Sequence, residues 1–160
     1  MSFRGLSTLI GLAVATSGAL VLALPVAASA EPVPASGSLV ITSAVFTSSR
    51  TADGNTIVTA SLTGNIAGTI SGTFTEQLSE VIHASGDANL HGTAVCACAV
   101  TGVGAGIATI GFNATGEPSG ALSGRFEFLS ATGALSGLVG QGTFSSPNGF
   151  IATYSGQVHS

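Results

Sequence analysis

SGALSG at residues 119–124 recurs as TGALSG at residues 132–137, and the second copy continues into VGQGTF at residues 139–144. Glycines at this spacing, placed between short runs of Leu, Val, Phe and Thr, are typical of the tight turns of a β-meander. The stretch therefore predicts an all-β fold built from consecutive antiparallel hairpins. It contains no complete catalytic or cofactor motif.

Short apolar runs separated by turn residues continue through the rest of the chain. Turn signals occur at Asp53-Gly54-Asn55, Gly86-Asp87, Gly116-Glu117-Pro118 and Pro147-Asn148-Gly149. Strands are predicted at residues 38–47, 56–63, 66–78, 90–101, 107–112, 121–129, 135–144 and 150–158. Since closure leaves no exposed edge strand, we predict that these eight antiparallel strands form a closed barrel.

Residues 1–30 have the composition of a secretory signal peptide. Arg4 precedes an apolar stretch from Leu6 to Leu24, and Ala28-Ser29-Ala30 supplies the small residues that signal peptidase accepts. We therefore predict cleavage after Ala30 and secretion to the extracellular space or the cell envelope. The alternative is an uncleaved membrane anchor, because the apolar stretch is nearly long enough to span a bilayer.

The predicted mature chain consists of an extended leader at residues 31–37 and a barrel domain at residues 38–160. Two arginines, Arg50 and Arg125, stand against seven carboxylates, which gives a net charge of −5 without any lysine. Such a chain cannot neutralise a row of phosphates, so nucleic acid and anionic membrane surfaces are not expected as partners. The absence of lysine also excludes a Schiff base and a Walker-type phosphate loop. No cofactor is predicted.

The strand period of residues 66–82 places two carboxyl groups among apolar side chains. Glu76 and Glu80 share a predicted strand face with Ile66, Ile70, Phe74, Leu78 and Ile82. Carboxyl groups on an inward, apolar face have raised pKa values and can act as acid and base or hold a ligand. The alternative is a β-bulge or an early strand end, either of which turns both glutamates outward.

A competing pattern has helical spacing. Glu76, Glu80, His83 and Asp87 would line one face of a helix, and such a row can bind a metal. The β-branched pair Val81-Ile82, the turn signal at Gly86-Asp87 and the missing helix cap argue against a helix. No metal site is predicted.

Cys96 and Cys98 are the two cysteines of the chain. In a secreted protein a pair of cysteines usually forms a disulfide. In a regular strand, however, their Cα atoms would lie about 6.5 Å apart, near the limit for an unstrained bridge. A strained disulfide, a pair of buried thiols and a redox site all remain open.

Tyr154 is the third candidate for ligand binding, beside Glu76 and Glu80. It shares a predicted strand face with Phe150 and Val158, an arrangement that can direct its hydroxyl group into a cavity. The alternative is a core tyrosine whose hydroxyl group is satisfied within the protein. No catalytic residue is assigned.

Four stretches resemble, in order, bacterial proteins with the allene-oxide-cyclase-like β-barrel: residues 37–43, 62–68, 120–126 and 132–144, the last followed by Ala152-Thr153-Tyr154. The resemblance covers nearly the whole mature chain and is closest to members of unknown function. It implies an eight-stranded barrel with an apolar cavity, used by some members to cyclise or orient hydrophobic small molecules and often assembled as homo-oligomers. The catalytic residues of the cyclases are not carried over, because the shared motifs are glycine and turn patterns.

We therefore expect a secreted β-barrel protein that binds an apolar small molecule, and catalysis is not predicted. One alternative is a cyclase or isomerase in which Glu76 or Glu80 shuttles a proton. Another is a structural or adhesive secreted protein, favoured by the Gly, Ser, Thr and Ala content and by the weak repeats. That alternative predicts a solenoid of similar coils.

Overall fold

The computed structural model describes residues 31–159. The predicted signal peptide at residues 1–30 lies outside the described residues. Eight strands and one short 3₁₀ helix make up the described chain: β1 (Val33–Ala52), β2 (Asn55–Gly68), β3 (Ile70–Ile82), β4 (Ala88–Val100), β5 (Gly104–Gly116), β6 (Leu122–Ala131), the 3₁₀ helix (Gly133–Leu135), β7 (Val139–Ser146) and β8 (Ile151–His159). The prediction of an all-β fold is confirmed. Within this part of the chain no helix is long and apolar enough to cross a membrane.

The eight strands form one closed antiparallel sheet. Each strand pairs with the next along the chain, and β1 also pairs with β8. The tilt of the strands can be read from the residue pairs. Starting at Gly37 of β1 and moving from each residue to its partner on the next strand, the path returns to β1 at Ser49. It passes through Tyr154, Phe144, Gly124, Ala114, Leu90, Glu80 and Val58. The offset between Gly37 and Ser49 means that the strands are strongly tilted, which widens the interior. Eight antiparallel strands and closure are confirmed, whereas the allene-oxide-cyclase-like assignment stays a prediction.

The sheet begins earlier than the sequence predicts. Residues 33–37, assigned above to an extended leader, are extended but belong to β1 and pair with β8, with Val33 opposite Val158. Ala35 is accordingly buried. Strand β1 therefore starts at Val33 rather than at Ser38.

The segment predicted as a single strand from Ile66 to Leu78 is divided by a turn. Gly68 has a φ of +119°, a conformation that glycine adopts readily and other residues do not. The chain reverses at this point, so Ile66 ends on β2, where it pairs with Gly72 of β3. The rest of the predicted strand is β3.

The two copies of the repeat have different structures. The first copy, residues 119–124, forms the predicted turn between β5 and β6 and the start of β6. The second copy forms the 3₁₀ helix instead of a strand, and β7 begins only at Val139. Leu135 and Leu138 are 0% and 3% exposed and belong to the core cluster that contains Ile70. The 3₁₀ helix and the residue after the second copy therefore pack into the core, and each leucine contributes about 2 kcal/mol of burial energy.

Glycines within the strands lie opposite aromatic residues on neighbouring strands. Five such pairs point inward: Gly37 with Tyr154, Gly64 with Phe74, Gly92 with Phe112, Gly124 with Phe144, and Gly142 with Phe126. A side chain at any of these glycines would collide with the aromatic ring opposite. The glycine content thus reflects interior packing as well as turns.

The β1–β2 hairpin projects beyond the closed part of the sheet. Strand β1 pairs with β8 only as far as Val40 but continues beside β2 to Ala52. Residues 42–51 are exposed on both faces, and they include the apolar side chains of Val45 and Phe46.

Candidate functional site

An apolar cavity of about 150 Å³ lies inside the closed sheet. Its wall is built from inward-facing side chains of all eight strands, most of them aliphatic or aromatic. Among the described residues that line it, three carry polar side chains: Glu76, Ser146 and Tyr154. A concave apolar space with a few polar groups is the usual form of a small-molecule site.

Aromatic side chains give one side of the cavity a defined shape. Phe112 and Phe144 pack edge to face with ring centroids 6.3 Å apart, and Phe126 and Tyr154 do the same at 6.2 Å. Such edge-to-face pairs add to the energy of simple area burial. Aromatic packing between strands therefore helps to hold this side of the wall.

Glu76 points into the cavity. It pairs with Leu62 of β2 and Ala94 of β4, and both of these neighbours line the cavity. Directly paired residues project to the same side of a sheet. Strand β3 pairs with β4 without a register shift from Ile70 to Ile82, so the alternative of a bulge or an early strand end is wrong.

Burial changes the acidity of both glutamates. Desolvation raises the pKa of the Glu76 carboxyl from 4.5 to about 7. Desolvation also raises the pKa of Glu80, which is less buried. Glu80 pairs with Val58 and Leu90 and faces inward, but it lies farther along β3 and does not line the cavity. The two candidates therefore differ: Glu76 belongs to the cavity wall and Glu80 does not.

The hydroxyl group of Tyr154 is engaged with the backbone at the start of β3. It accepts a hydrogen bond from Ile70 N at 2.9 Å and donates one to Ile70 O at 3.2 Å. Burial raises the pKa of Tyr154, and the hydrogen bond with Ile70 partly offsets this. The side chain is 5% exposed. The ring lines the cavity, but the hydroxyl group is satisfied within the protein.

The predicted neighbours of Tyr154 are partly wrong. Val158 shares its buried face, as predicted, whereas Phe150 precedes β8 and is exposed. Phe150 lies in the turn between β7 and β8, where strand alternation does not apply. The residue that shares the inward face at the start of β8 is Ala152.

Ser146 is a cavity residue that the sequence reasoning missed. Its Oγ donates to Ile151 O at 2.7 Å and accepts from Gly149 N at 2.8 Å. The signal was the turn sequence Ser146-Pro147-Asn148-Gly149, in which a serine side chain commonly bonds nearby backbone groups. The hydroxyl group of Ser146 thus organises the β7–β8 turn. Glu76 is the remaining polar side chain of the cavity. Among the described residues, no charge and no hydrogen bond offsets the effect of burial on its carboxyl group.

Cys96 and Cys98 are joined by a disulfide in the structure. Their Cα atoms lie 5.3 Å apart, closer than the distance expected for a regular strand, so β4 is contracted at this point. The two residues are 1% and 4% exposed, and Cys96 lines the cavity. The bridge is therefore part of the interior wall.

The metal-binding pattern considered in the sequence is not assembled. Strand β3 ends at Ile82, so Glu76, Glu80, His83 and Asp87 do not share a helical face. The His83 ring lies 3.1 Å from Asn55 Oδ1 and 2.7 Å from Asn89 Nδ2. Residues 31–159 contain no group of three or more His, Cys, Asp or Glu side chains placed to hold a metal ion.

Fold and cavity together define an all-β protein with a closed eight-stranded sheet around an apolar space. The chain matches no family model and no curated protein sequence. It is similar in structure to a protein of unknown function from the DUF3224 family of Shewanella oneidensis, with a TM-score of 0.59 and 14% sequence identity over 80% of this chain and 96% of that one. At this identity the likeness concerns the fold alone.

Proposed function

We propose that this chain is a secreted β-barrel protein of the allene-oxide-cyclase-like type that binds an apolar small molecule inside the barrel. One observation carries the proposal: the 150 Å³ cavity has an apolar wall drawn from all eight strands and a single carboxyl group without an internal partner. The composition of residues 1–30 supports secretion. The glycine and turn motifs support the assignment to this superfamily. Because its members often form homo-oligomers, we expect this chain to form one as well.

The size of the cavity limits the ligand. Sites for drug-sized molecules occupy about 300–1,000 Å³. An engineered apolar cavity of about 150 Å³ in another protein stays dry and binds benzene. A ligand held in this cavity is accordingly a single small ring or a short branched chain, or the part of a longer molecule that enters the barrel.

The test is native mass spectrometry of the protein purified from its own culture supernatant under non-reducing conditions. We expect a co-purifying apolar molecule. The variant Ala94→Leu places extra carbon atoms in the cavity beside Glu76 and should lose that molecule. Ala97→Leu is the matched control, because Ala97 is exposed on the same strand. A wild-type protein without ligand, or equal retention by both variants, contradicts the proposal.

A cyclase or isomerase activity is the second candidate, and the inward position of Glu76 favours it. A carboxyl group with a pKa of about 7 can both donate and accept a proton near neutral pH. Turnover of the co-purified molecule by the wild type, lost in Glu76→Gln while binding persists, would support catalysis. The structural or adhesive alternative predicts a solenoid, and a closed sheet is not a solenoid.

A further inference from the structure

The polar groups of the cavity wall are unequally satisfied. The hydroxyl group of Tyr154 is bonded to Ile70, and that of Ser146 is bonded to the β7–β8 turn. The Glu76 carboxyl has no such partner and is surrounded by the apolar side chains of Leu62 and Ala94 on the flanking strands. An unpaired polar group in an apolar cavity is the feature that orients a ligand.

We propose that the ligand of this cavity carries a basic nitrogen, which in its protonated form donates a hydrogen bond to the Glu76 carboxylate. This inference rests on the proposed function, since it names the chemical class of a ligand held in the same cavity. The ligand is thus a small aromatic or branched aliphatic amine, with its apolar part against Phe112, Phe126 and Phe144.

The charges around Glu76 favour a cation over a neutral or anionic group. No Arg, Lys or His lines the cavity among the described residues, and β2, β3 and β4 contain neither Arg nor Lys. Glu80 lies farther along the inward face of β3, and His91 of β4 lies on the exposed outer face. An anionic ligand would meet like charge, whereas an ammonium group meets the opposite charge of Glu76, the carboxyl group that lines the cavity.

Folding has partly desolvated the Glu76 carboxyl, which is half-buried in the cavity wall. A hydrocarbon ligand would bury this group further without a partner, which is unfavourable. A protonated amine must shed its own hydration, but it gives a hydrogen-bond donor to a carboxylate that the protein has partly desolvated. The cavity should therefore prefer an amine to a hydrocarbon, because only the amine gives the Glu76 carboxylate a hydrogen-bond donor.

The proposed contact depends on pH through Glu76. Because burial raises the pKa of Glu76 to about 7, the carboxylate predominates above pH 7 and the neutral acid below it. Tyr154 is the other titratable group that lines the cavity, and burial raises its pKa from 10, so it remains neutral over this range. The pKa of Glu80 is also raised, and its ionisation changes in the same direction.

The experiment compares toluene, benzyl alcohol and benzylamine, which have nearly the same size, by isothermal titration calorimetry. At pH 8 we expect benzylamine to bind at least about tenfold more tightly than toluene, as a charge-assisted hydrogen bond in an apolar site implies. The preference should fall below about threefold at pH 5.5 and in Glu76→Gln at pH 8. Glu127→Gln, on the exposed outer face of β6, should retain it.

Each outcome bears on a different claim. Equal affinity for toluene and benzylamine in the wild type, or an unchanged preference in Glu76→Gln, overturns the amine inference and leaves apolar binding intact. If none of the three probes binds, the proposed function itself is contradicted. Since glutamine has nearly the shape of glutamate, Glu76→Gln should fold, and its circular dichroism spectrum checks this directly.

Discussion

The ring of Phe144 lies directly over Gly124 across the β6–β7 pair. A Cβ atom at Gly124 would lie 2.7 Å from Phe144 Cζ, which is too close for any real contact. The ring therefore occupies the space that a side chain on the neighbouring strand would fill. Because the same relationship recurs in four further inward pairs, the aromatic wall of the cavity depends on glycine at these positions.

Gly124→Ala should destabilise the protein by about 1–3 kcal/mol, because the new Cβ atom would collide with Asn113 O of β5 as well as with the Phe144 ring, and the strand or the ring must shift. Urea unfolding measures the change. Gly116→Ala is the control: its nearest contact would be an ordinary 3.4 Å to Ala88 Cβ, so its stability should stay within about 0.5 kcal/mol of the wild type. Equal losses in the two variants would contradict this account of the glycines.

Tyr154→Phe should reduce the free energy of unfolding by about 1–3 kcal/mol, because Ile70 N loses its hydrogen-bond acceptor in a buried place. The ring stays in the cavity wall, so binding of toluene should persist. Thr153→Val, at the exposed neighbouring position, provides the control. Loss of toluene binding without loss of stability would show that the hydroxyl group serves the ligand instead of the fold.

Stability should rise as pH falls from 7 towards 4.5. Because the pKa of Glu76 is raised in the folded state, the folded protein binds the proton more tightly than the unfolded chain in this range. This contribution is complete below pH 4.5 and is lost as pH rises through about 7, with a magnitude on the order of 2 kcal/mol. Urea unfolding at pH 5 and pH 7.5 measures it.

Glu76→Gln should remove most of this pH dependence and should be more stable than the wild type at pH 7.5. Glu80 contributes in the same direction, so a smaller slope should remain. Glu127→Gln should behave like the wild type, because Glu127 is exposed on the outer face. An identical pH dependence in Glu76→Gln and in the wild type would mean that Glu76 is solvated.

Cys96 and Cys98 should resist iodoacetamide both in the folded protein and in denaturant, until a reductant is added. After reduction in denaturant, both should be alkylated. Intact mass spectrometry distinguishes the two states. Alkylation in denaturant alone would show that the cysteines are free thiols.

Local pattern was enough to predict eight strands and to place Glu76 on the same face as the apolar side chains of β3, but it left open whether that face points inward. The two-residue period of β3 is visible in its sequence, and the Gly and Asn residues mark the turns. The second copy of the repeat misled the prediction of β7, because the same six residues can form a hairpin turn or a 3₁₀ helix. Burial of Leu135 and Leu138 against other strands decides between them.

The site itself depends on contacts that are distant in the chain. Tyr154 and Ile70 are 84 residues apart, so no local pattern indicates that the backbone of Ile70 bonds to the hydroxyl group of Tyr154. The cavity exists because the strands are tilted and because glycines accommodate aromatic rings on neighbouring strands. Its volume, and the position of a single carboxyl group in its wall, follow from this register, which the sequence alone does not reveal.

Methyl-resolved NMR during titration with toluene tests the central claim most directly. If the interior cavity binds apolar molecules, the methyl groups of Leu62 and Ile110, which line it, should shift in a saturable way. The exposed methyl groups of Val95 and Ile107 on the outer face should not. Shifts confined to the outer face, or none up to the solubility limit of toluene, would contradict the account.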